Sequence, residues 1–477
     1  MAYLDQIKTF LKSGIIILAV LSPQLSMAAD QQLIDKGTYL ARAADCMACH
    51  TAKGAENTPF AGGYEFPMPM GIIVSSNITP SKQFGIGQYT EEQFKKAIKE
   101  GIRADGSRLY PAMPYTEYSQ ITDEDIHALY AYFMNAVEPV DEAPQAKSKL
   151  SFPFNAPGMM AVWDGLFLNK ASFKNDPTVS NEINRGRYLV DALAHCGTCH
   201  TPRNSFMASD QKQYLSGSVV NGWFAPNITS DPISGIGGWT NEELVTYFKN
   251  GHVPNKGQAA GGMAEAVEKS LKHLTDEDLN AIALYLKTVT PIHDKNQTLA
   301  SYAITQAKPL EVSLIETGNN NNQKGNINEL DGAVLYNAAC ASCHGMNGEG
   351  TRDGQFPSLT QNSSVGAMQP NNLVMAIAFG VQRAGQDQTV LMPAFGVASN
   401  SIGSKLTDAQ IAAVANYVID RFGQSKVVLT ERQVATIKKG GETPFLIKAA
   451  PALAVIFGLM VFALLIWCIQ KFRSRRR

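Results

Sequence analysis

The chain has 477 residues, 45% of them apolar, and a formal net charge of −1. Its length fits two to four domains of ordinary globular composition. The balanced charge excludes the basic profile expected of a nucleic-acid binder. Cysteine usage is more informative, because six of the seven cysteines fall in three Cys-x-x-Cys-His clusters.

Residues 1–29 read as an export signal. Lys8 and Lys12 supply a basic start, "SGIIILAVL" a short apolar stretch, and "LSMAAD" small residues for cleavage near Ala28 or Ala29. The stretch is short for a membrane span, which argues against an uncleaved anchor.

The first cluster is Cys46, Cys49 and His50. Two cysteines three apart lie on one side of a helical turn, where each thiol can add across a haem vinyl group to form a thioether. The adjoining His then faces the iron, which is the c-type haem attachment pattern. The pattern returns as Cys196, Cys199 and His200, and again as Cys340, Cys343 and His344. A zinc site would pair the Cys-x-x-Cys motifs and leave one over. A thioredoxin-like redox pair has no use for three histidines. A disulfide between cysteines three apart is strained. The reading that uses every cluster is three covalently bound haem c groups.

The chain repeats internally around these clusters. Cys46 and Cys196 are 150 residues apart, and the offset carries "SNITP" (76–80) onto "PNITS" (226–230) and "GIGQYTEEQF" (85–94) onto "GIGGWTNEEL" (235–244). Thr90 with Gln93, and Thr240 with Glu243, form capping boxes, and the helices they open stop at Gly101 and Gly251. In the third unit the corresponding helix stops at Gly380. A closing helix follows Thr122, Thr275 and Thr407. Its apolar stripe is Ile126, Leu129, Tyr130 and Phe133, then Leu279, Ile282, Ala283 and Leu286, then Ile411, Val414, Ala415 and Val418. That spacing buries one helical face, expected against the helix leading into each Cys cluster.

A haem iron held only by His is open to small ligands, whereas His with Met closes it for electron transfer. Twelve residues beyond the helix-ending glycine stand Met113, Met263 and Met392. The His-to-Met spacing is 63 residues in the first two units and 48 in the third. Proline follows Met113 and Met392 and stiffens the loop, whereas Met263 is followed by Ala264, a weaker match. Met68 and Met70 compete in the first unit, but Ser218 and Val220 stand at their repeat positions. The expected axial pairs are therefore His50 with Met113, His200 with Met263, and His344 with Met392. His127, His195, His252, His273 and His293 share no repeated position and are read as surface or packing residues. No catalytic residue is expected.

The predicted architecture is mainly α: three tandem cytochrome c-like domains over 33–140, 182–292 and 329–424, plus one C-terminal transmembrane helix. The segment 141–181 is too apolar, with Phe152, Phe154, Trp163 and Phe167, to be a free tether, and is expected to pack between units. A partner-binding surface is its sharper reading. The Asn-rich stretch 317–328 reads as a linker that leaves the third unit more independent. Residues 449–469 run 21 positions without a charge, long enough to cross a bilayer. They lack the polar face of a membrane-surface helix. Cys468 within them reads as apolar filler. The tail 470–477, with Lys471, Arg473, Arg475, Arg476 and Arg477, stays on the cytoplasmic side and leaves residues 30–448 outside.

Taken in order, the three clusters, "YPAMPY", "GGMAEAV", "LMPAFG" and the "NIT" turns resemble the triheme cytochrome c subunit of bacterial membrane-bound periplasmic dehydrogenases. That family includes alcohol dehydrogenases with pyrroloquinoline quinone (PQQ) and gluconate 2-dehydrogenases with flavin (FAD). The resemblance spans nearly all of 30–424. It implies a subunit that takes electrons from a PQQ- or flavin-containing catalytic partner oxidising an alcohol, gluconate, aldehyde or sugar, and passes them through three haems to ubiquinone. It places that subunit on the periplasmic side of the inner membrane. Resemblance to small monohaem cytochromes implies that Pro357 offers its carbonyl to the His344 ring. A single transmembrane span departs from family members that end in membrane-surface helices. Two other classes are a haem enzyme such as a peroxidase, which needs an iron lacking its sixth ligand, and a cytochrome feeding a terminal oxidase or another periplasmic acceptor.

Overall fold

Thr followed three residues later by Gln or Glu, ahead of an apolar stripe, starts a helix because each side chain satisfies the other residue's free backbone N–H. Such reciprocal caps stand at Thr90, Thr240, Thr407 and Thr430. Thr122 and Thr275 cap more simply, accepting from Asp125 N and Asp278 N. The computed structural model describes residues 30–310, 331–352, 354–396 and 405–474. The expected leader, the Asn-rich linker and the tail beyond Ser474 lie outside the described residues.

The first unit runs through helix α1 over 30–43, α2 Cys46–His50, strands β1 Glu65–Met68 and β2 Gly71–Val74, and helices α3 Glu91–Glu100, α4 Tyr115–Tyr118 and α5 Asp123–Asn135. Then come β3 Lys149–Leu150 and α6 Met159–Phe167. The second unit has α7 Asn181–Tyr188, a π-helical turn Leu189–Leu193, α8 Gly197–His200, strands β4 Ser218–Val220 and β5 Trp223–Ala225, α9 Asn241–Asn250, strands β6 His252–Val253 and β7 Gly257–Gln258, α10 Gly261–Lys269 and α11 Asp276–Leu286. The third has α12 Gly332–Ala339, α13 Ala341–His344, α14 Asn371–Phe379, strands β8 Val381–Ala384 and β9 Thr389–Met392, and α15 Asp408–Phe422; α16 Glu431–Lys438 and α17 Phe445–Ser474 follow. Among the described residues, strands form short antiparallel pairings, with β3 adding to β1 and β2.

One helix crossing is repeated in all three units. The leading helix packs on the closing helix where a glycine removes the side chain between them. A Cβ on Gly37 would overlap Ala128 O and come within 2.7 Å of Tyr132 Cβ. Gly186 meets Ala281 O and Tyr285 Cβ at 2.8 Å, and Gly332 meets Ala413 O and Tyr417 Cβ at 2.8 Å, in the same way. Only glycine permits so close an approach of two backbones. The stripes of α5, α11 and α15 are buried, apart from half-buried Tyr130; contrary to expectation they lie on a different helical face from the crossing, which falls at Ala128, Ala281 and Ala413.

The first two units do not have separate cores. Leu40, Phe94, Ile126 and Leu129 join Leu193, Leu244, Val267 and Leu279 in one apolar cluster, while the third unit keeps its own around Tyr336, Val374, Ile411 and Phe422. The connector packs on the units it joins: Asp164 accepts from Arg108 and Tyr115, Trp163 Nε1 donates to Phe206 O at 2.9 Å, and Phe173 packs on Tyr188.

Helix α17 is 30 residues long, with a mean hydropathy of 2.8 over its most apolar window. Leu453, Phe457, Leu459, Phe462 and Leu465 are all exposed on it, uncovered by any of the described residues. It is long and apolar enough to cross a membrane and contains the 449–469 stretch.

Candidate functional site

Each cluster sits where its leading helix breaks. Asp45 and His195, the residues before Cys46 and Cys196, both take left-handed backbone, with φ of 53° and 39°. A new helical turn then carries the two cysteines on one side and His at its end. In the third unit Cys340 caps α12 and starts α13 directly. All the cysteines are free. Burial pushes the Cys46, Cys196 and Cys340 thiols up to about 12, the opposite of a reactive redox pair, whose thiolate must be stabilised. Among the described residues, no three His, Cys, Asp or Glu side chains converge to cage a bare metal ion.

The three imidazoles are held alike. His50 Nδ1 lies 2.7 Å from Ser76 O, His200 Nδ1 2.7 Å from Pro226 O, and His344 Nδ1 2.9 Å from Pro357 O. A carbonyl only accepts, so Nδ1 carries the proton and Nε2 keeps its lone pair. Burial holds all three rings below the ordinary histidine value, against the opposing pull of the carbonyl. Each is thus a neutral imidazole with one nitrogen oriented and the other able to bind a metal.

A glycine places each of these carbonyls. Gly62 N donates to His50 O at 2.7 Å, and Gly217 N and Gly350 N donate to His200 O and His344 O at 2.8 Å. All three glycines have positive φ. A Cβ would come 2.5 Å from Ser76 C, 2.9 Å from Asn227 N and 2.7 Å from Pro357 C, in the segments that hold the rings. The repeated "NIT" turns lock two of the segments. Asn77 Oδ1 accepts from Thr79 N and Oγ1 at 2.9 and 2.7 Å, and Asn227 Oδ1 accepts from Thr229 N and Oγ1 at 2.8 and 2.7 Å. Thr79 Oγ1 then accepts from Val140 N and Thr229 Oγ1 from Ile292 N, both at 3.1 Å, tying each turn to the chain leaving the closing helix. The sequence showed the turns as repeats. Their task of presenting the Ser76 and Pro226 carbonyls could not be read from it, because a backbone acceptor has no residue signature. Only the Pro357 acceptor was anticipated.

The three methionines come from different local structures. Met113 sits in the loop before α4, and Tyr115 N donates to its carbonyl at 2.8 Å. Met392 ends β9, opposite Val381. Met263 lies in the first turn of α10, not in a loop, so the missing proline is replaced by helical backbone. Met113 and Met263 pack on the core that also carries Cys46 and Cys196, and Met392 packs on the one that carries Cys340. Met70 is a buried hairpin residue, with its carbonyl held by Ser151.

The sites of the first two units adjoin. Helix α4, after Met113, packs on the π turn before Cys196, while α10, with Met263, packs on α2. Tyr118 donates to Ala44 O at 2.6 Å, and its ring meets His195 at 5.4 Å. Burial pushes the His195 ring down to about 4. His127 pairs with Glu91 and His293 with Asp231; His252 bonds to Gln258, and His273 to Glu268 O.

This arrangement suits a group held through thioethers. It offers free paired thiols, a neutral ring with a free Nε2, and a thioether sulfur on the same core.

A family model described as Cytochrome c matches residues 34–136 and 330–420. The chain is 43% identical to the fructose dehydrogenase cytochrome subunit of Gluconobacter japonicus, covering 94% of this chain and 93% of the relative. It is 37% identical to the gluconate 2-dehydrogenase cytochrome c subunit of Pantoea cypripedii, over 89% and 95% of the two chains. The cytochrome c subunit of the alcohol dehydrogenase (quinone) of Gluconacetobacter polyoxogenes is also 37% identical, over 87% and 86%. The chain therefore belongs to the cytochrome c family, among the electron-transferring cytochrome c subunits of dehydrogenases.

Proposed function

We propose that the chain is a three-haem wire that receives electrons from a catalytic dehydrogenase subunit and delivers them to ubiquinone. When bound, each haem supplies an iron that accepts and releases one electron at a time. The protein's part is to fix that iron and its surroundings. Cys46 and Cys49, Cys196 and Cys199, and Cys340 and Cys343 anchor the three groups as thioethers. His50, His200 and His344 bind through Nε2 because Nδ1 is committed to a backbone carbonyl. Met113, Met263 and Met392 would each supply the iron's second protein ligand. The single observation that carries this reading is the threefold His Nδ1 to carbonyl bond, at 2.7, 2.7 and 2.9 Å. The middle unit shares it in full, along with the glycine crossing, although the family model matches only the outer two.

The names of the relatives support a partner that oxidises a sugar, a sugar acid or an alcohol; PQQ or flavin in that separate subunit is what the resemblance of the sequence implies. Helix α17 anchors the wire in the bacterial inner membrane, with the cytoplasmic basic tail leaving all three haems on the periplasmic side. The test is to assemble the chain with its catalytic partner, add substrate, and follow the haem absorbance. All haems should reduce and then reoxidise on adding a ubiquinone analogue. A chain whose haems stay oxidised with substrate, or that reoxidises only through added hydrogen peroxide, would overturn this reading.

A further inference from the structure

Helix α6 lies outside the repeat. It belongs to the connector 141–181, whereas residues 287–310, which leave the matching helix α11, form no helix. Its inner side is fastened to both units. Asp164 accepts from Arg108 at 2.6 Å and from Tyr115, two residues beyond Met113, at 2.7 Å. Trp163 donates to the carbonyl of Phe206, six residues beyond His200. Met160 and Asp164 are buried beneath the helix.

Its outer side is uncovered by any of the described residues. Met159, Val162 and Leu166 share one face, and Val162 and Leu166 are 67% and 69% exposed. Phe152 and Phe206 are exposed as well, and Phe206 packs on Phe167 of α6. None of these side chains carries a hydrogen-bond donor. The charges around them have one sign. Between Glu142 and Asp176 the chain holds four lysines and a single acid, Asp164, which Arg108 neutralises. Lys147, Lys149 and Lys174 are exposed without an ion pair among the described residues, while Lys170 meets Glu100. An uncharged apolar stripe flanked by lysines is the profile of a helix lying in a bilayer surface, with its apolar side at the acyl boundary and its cations at anionic headgroups.

The membrane-crossing helix leaves from the same part of the molecule. The stretch 201–222, which carries Phe206, also carries Val219, itself exposed. A Cβ on Gly441, four residues before α17, would come 3.7 Å from Val219 Cγ1. One stretch of the second unit thus touches both α6 and the foot of α17.

We propose that α6 is a second membrane contact, seated among the anionic phospholipid headgroups of the bilayer that α17 crosses. It holds the first two units against the membrane surface, where α17 alone would leave them tethered at one point. The proposal rests on the reading of α17 as a membrane anchor.

The experiment uses the full chain carrying Cys468→Ser, in nanodiscs of phosphatidylethanolamine and phosphatidylglycerol, with a maleimide on the headgroup of part of the phosphatidylethanolamine. Insertion is measured first, and a chain that does not enter the nanodiscs sinks the anchor reading itself. In the inserted chain, Val162→Cys and Leu166→Cys should each gain the mass of one lipid on the peptide that holds them. Glu277→Cys, at an exposed position of α11, should gain none. A water-soluble maleimide should do the reverse, labelling Glu277→Cys and sparing the other two. No lipid adduct at either stripe position, or an equal adduct at Glu277→Cys, would overturn the proposal. So would protection from the water-soluble reagent that appears only when the catalytic partner is added, which would give the face to that subunit.

Discussion

Tyr39 of the first unit donates to Asp278 Oδ2 of the second at 2.6 Å. The exchange is reciprocal, since Tyr188 donates to Asp125 Oδ2 at 2.6 Å. Each tyrosine oxygen also accepts a backbone N–H at the opposite helix cap, from Thr275 and Thr122, both at 3.2 Å. The first two units therefore meet as a pseudo-twofold pair, each tying down the cap of the other's closing helix. Tyr39→Phe and Tyr188→Phe should each destabilise this pair by ~1–3 kcal/mol, the usual loss for a hydrogen bond to a charged group. Denaturant unfolding followed in the haem band checks this, with the third unit's transition unmoved.

The same seam gives a pH dependence. Burial alone would push the Asp278 carboxyl up, but hydrogen bonds from Arg185 and Tyr39 hold it below the ordinary aspartate value. A carboxylate lowered in the folded state contributes stability above its unfolded pKa and loses it on acidification. The seam should be whole at neutral pH, weaken below about pH 4, the ordinary aspartate range, and be lost as Asp278 itself protonates. Unfolding followed between neutral and acid pH should show the slope in wild type and a reduced one in Asp278→Asn.

The helix crossings should resist enlargement. At Gly186 a Cβ would overlap Ala281 O and lie 2.8 Å from Tyr285 Cβ. Gly186→Ala must therefore spread two backbones, and should cost ~1–3 kcal/mol or more, as overpacked cores do. The expected result is loss of one haem from the second unit with the others retained. Gly332→Ala should do the same in the third. Haem content per chain is the readout.

Much of this was legible in the sequence. The cap threonines, the stripes of α5, α11 and α15, and the long apolar stretch inside α17 stand where spacing put them, because local capping and one-sided burial leave a periodic trace. The crossing glycines were missed: Gly37 and Gly186 share a Gly-x-Tyr pattern, but Gly332 lacks it, and close approach is a property of two helices at once. The Ser76 and Pro226 carbonyls were missed because any residue can supply one. The shared core of the first two units was hidden in the same way, since its seam joins residues as far apart as Tyr39 and Asp278. Met263 was flagged as the odd one for want of a proline, and the helix that carries it explains the difference.

Axial ligation can be tested one site at a time. The wild-type chain should bind no carbon monoxide. Met113→Ala, Met263→Ala and Met392→Ala should each open one iron, giving a carbon monoxide difference spectrum for about a third of the haem and a lower potential at that site, since Met ligation raises it. A wild-type chain that already binds carbon monoxide at the second unit would favour the haem-enzyme class instead.

Cutting the chain before α17 should leave the haem units soluble. Helix α16 must stay, because it packs on the second unit: a Cβ on Gly222 would overlap Ile437 O and touch Met375 Sδ at 3.1 Å. A chain ending at residue 443 should fractionate without detergent, keep its haem spectrum and lose quinone reduction in membranes.

The central claim is that three haems are attached to one chain, one in each unit. Intact-mass spectrometry of the denatured protein tests it most directly, alongside Cys196→Ala/Cys199→Ala. The account predicts the mass of three haems on the wild-type chain and of two on the variant. Two haems on the wild type, with no change in the variant, would contradict it.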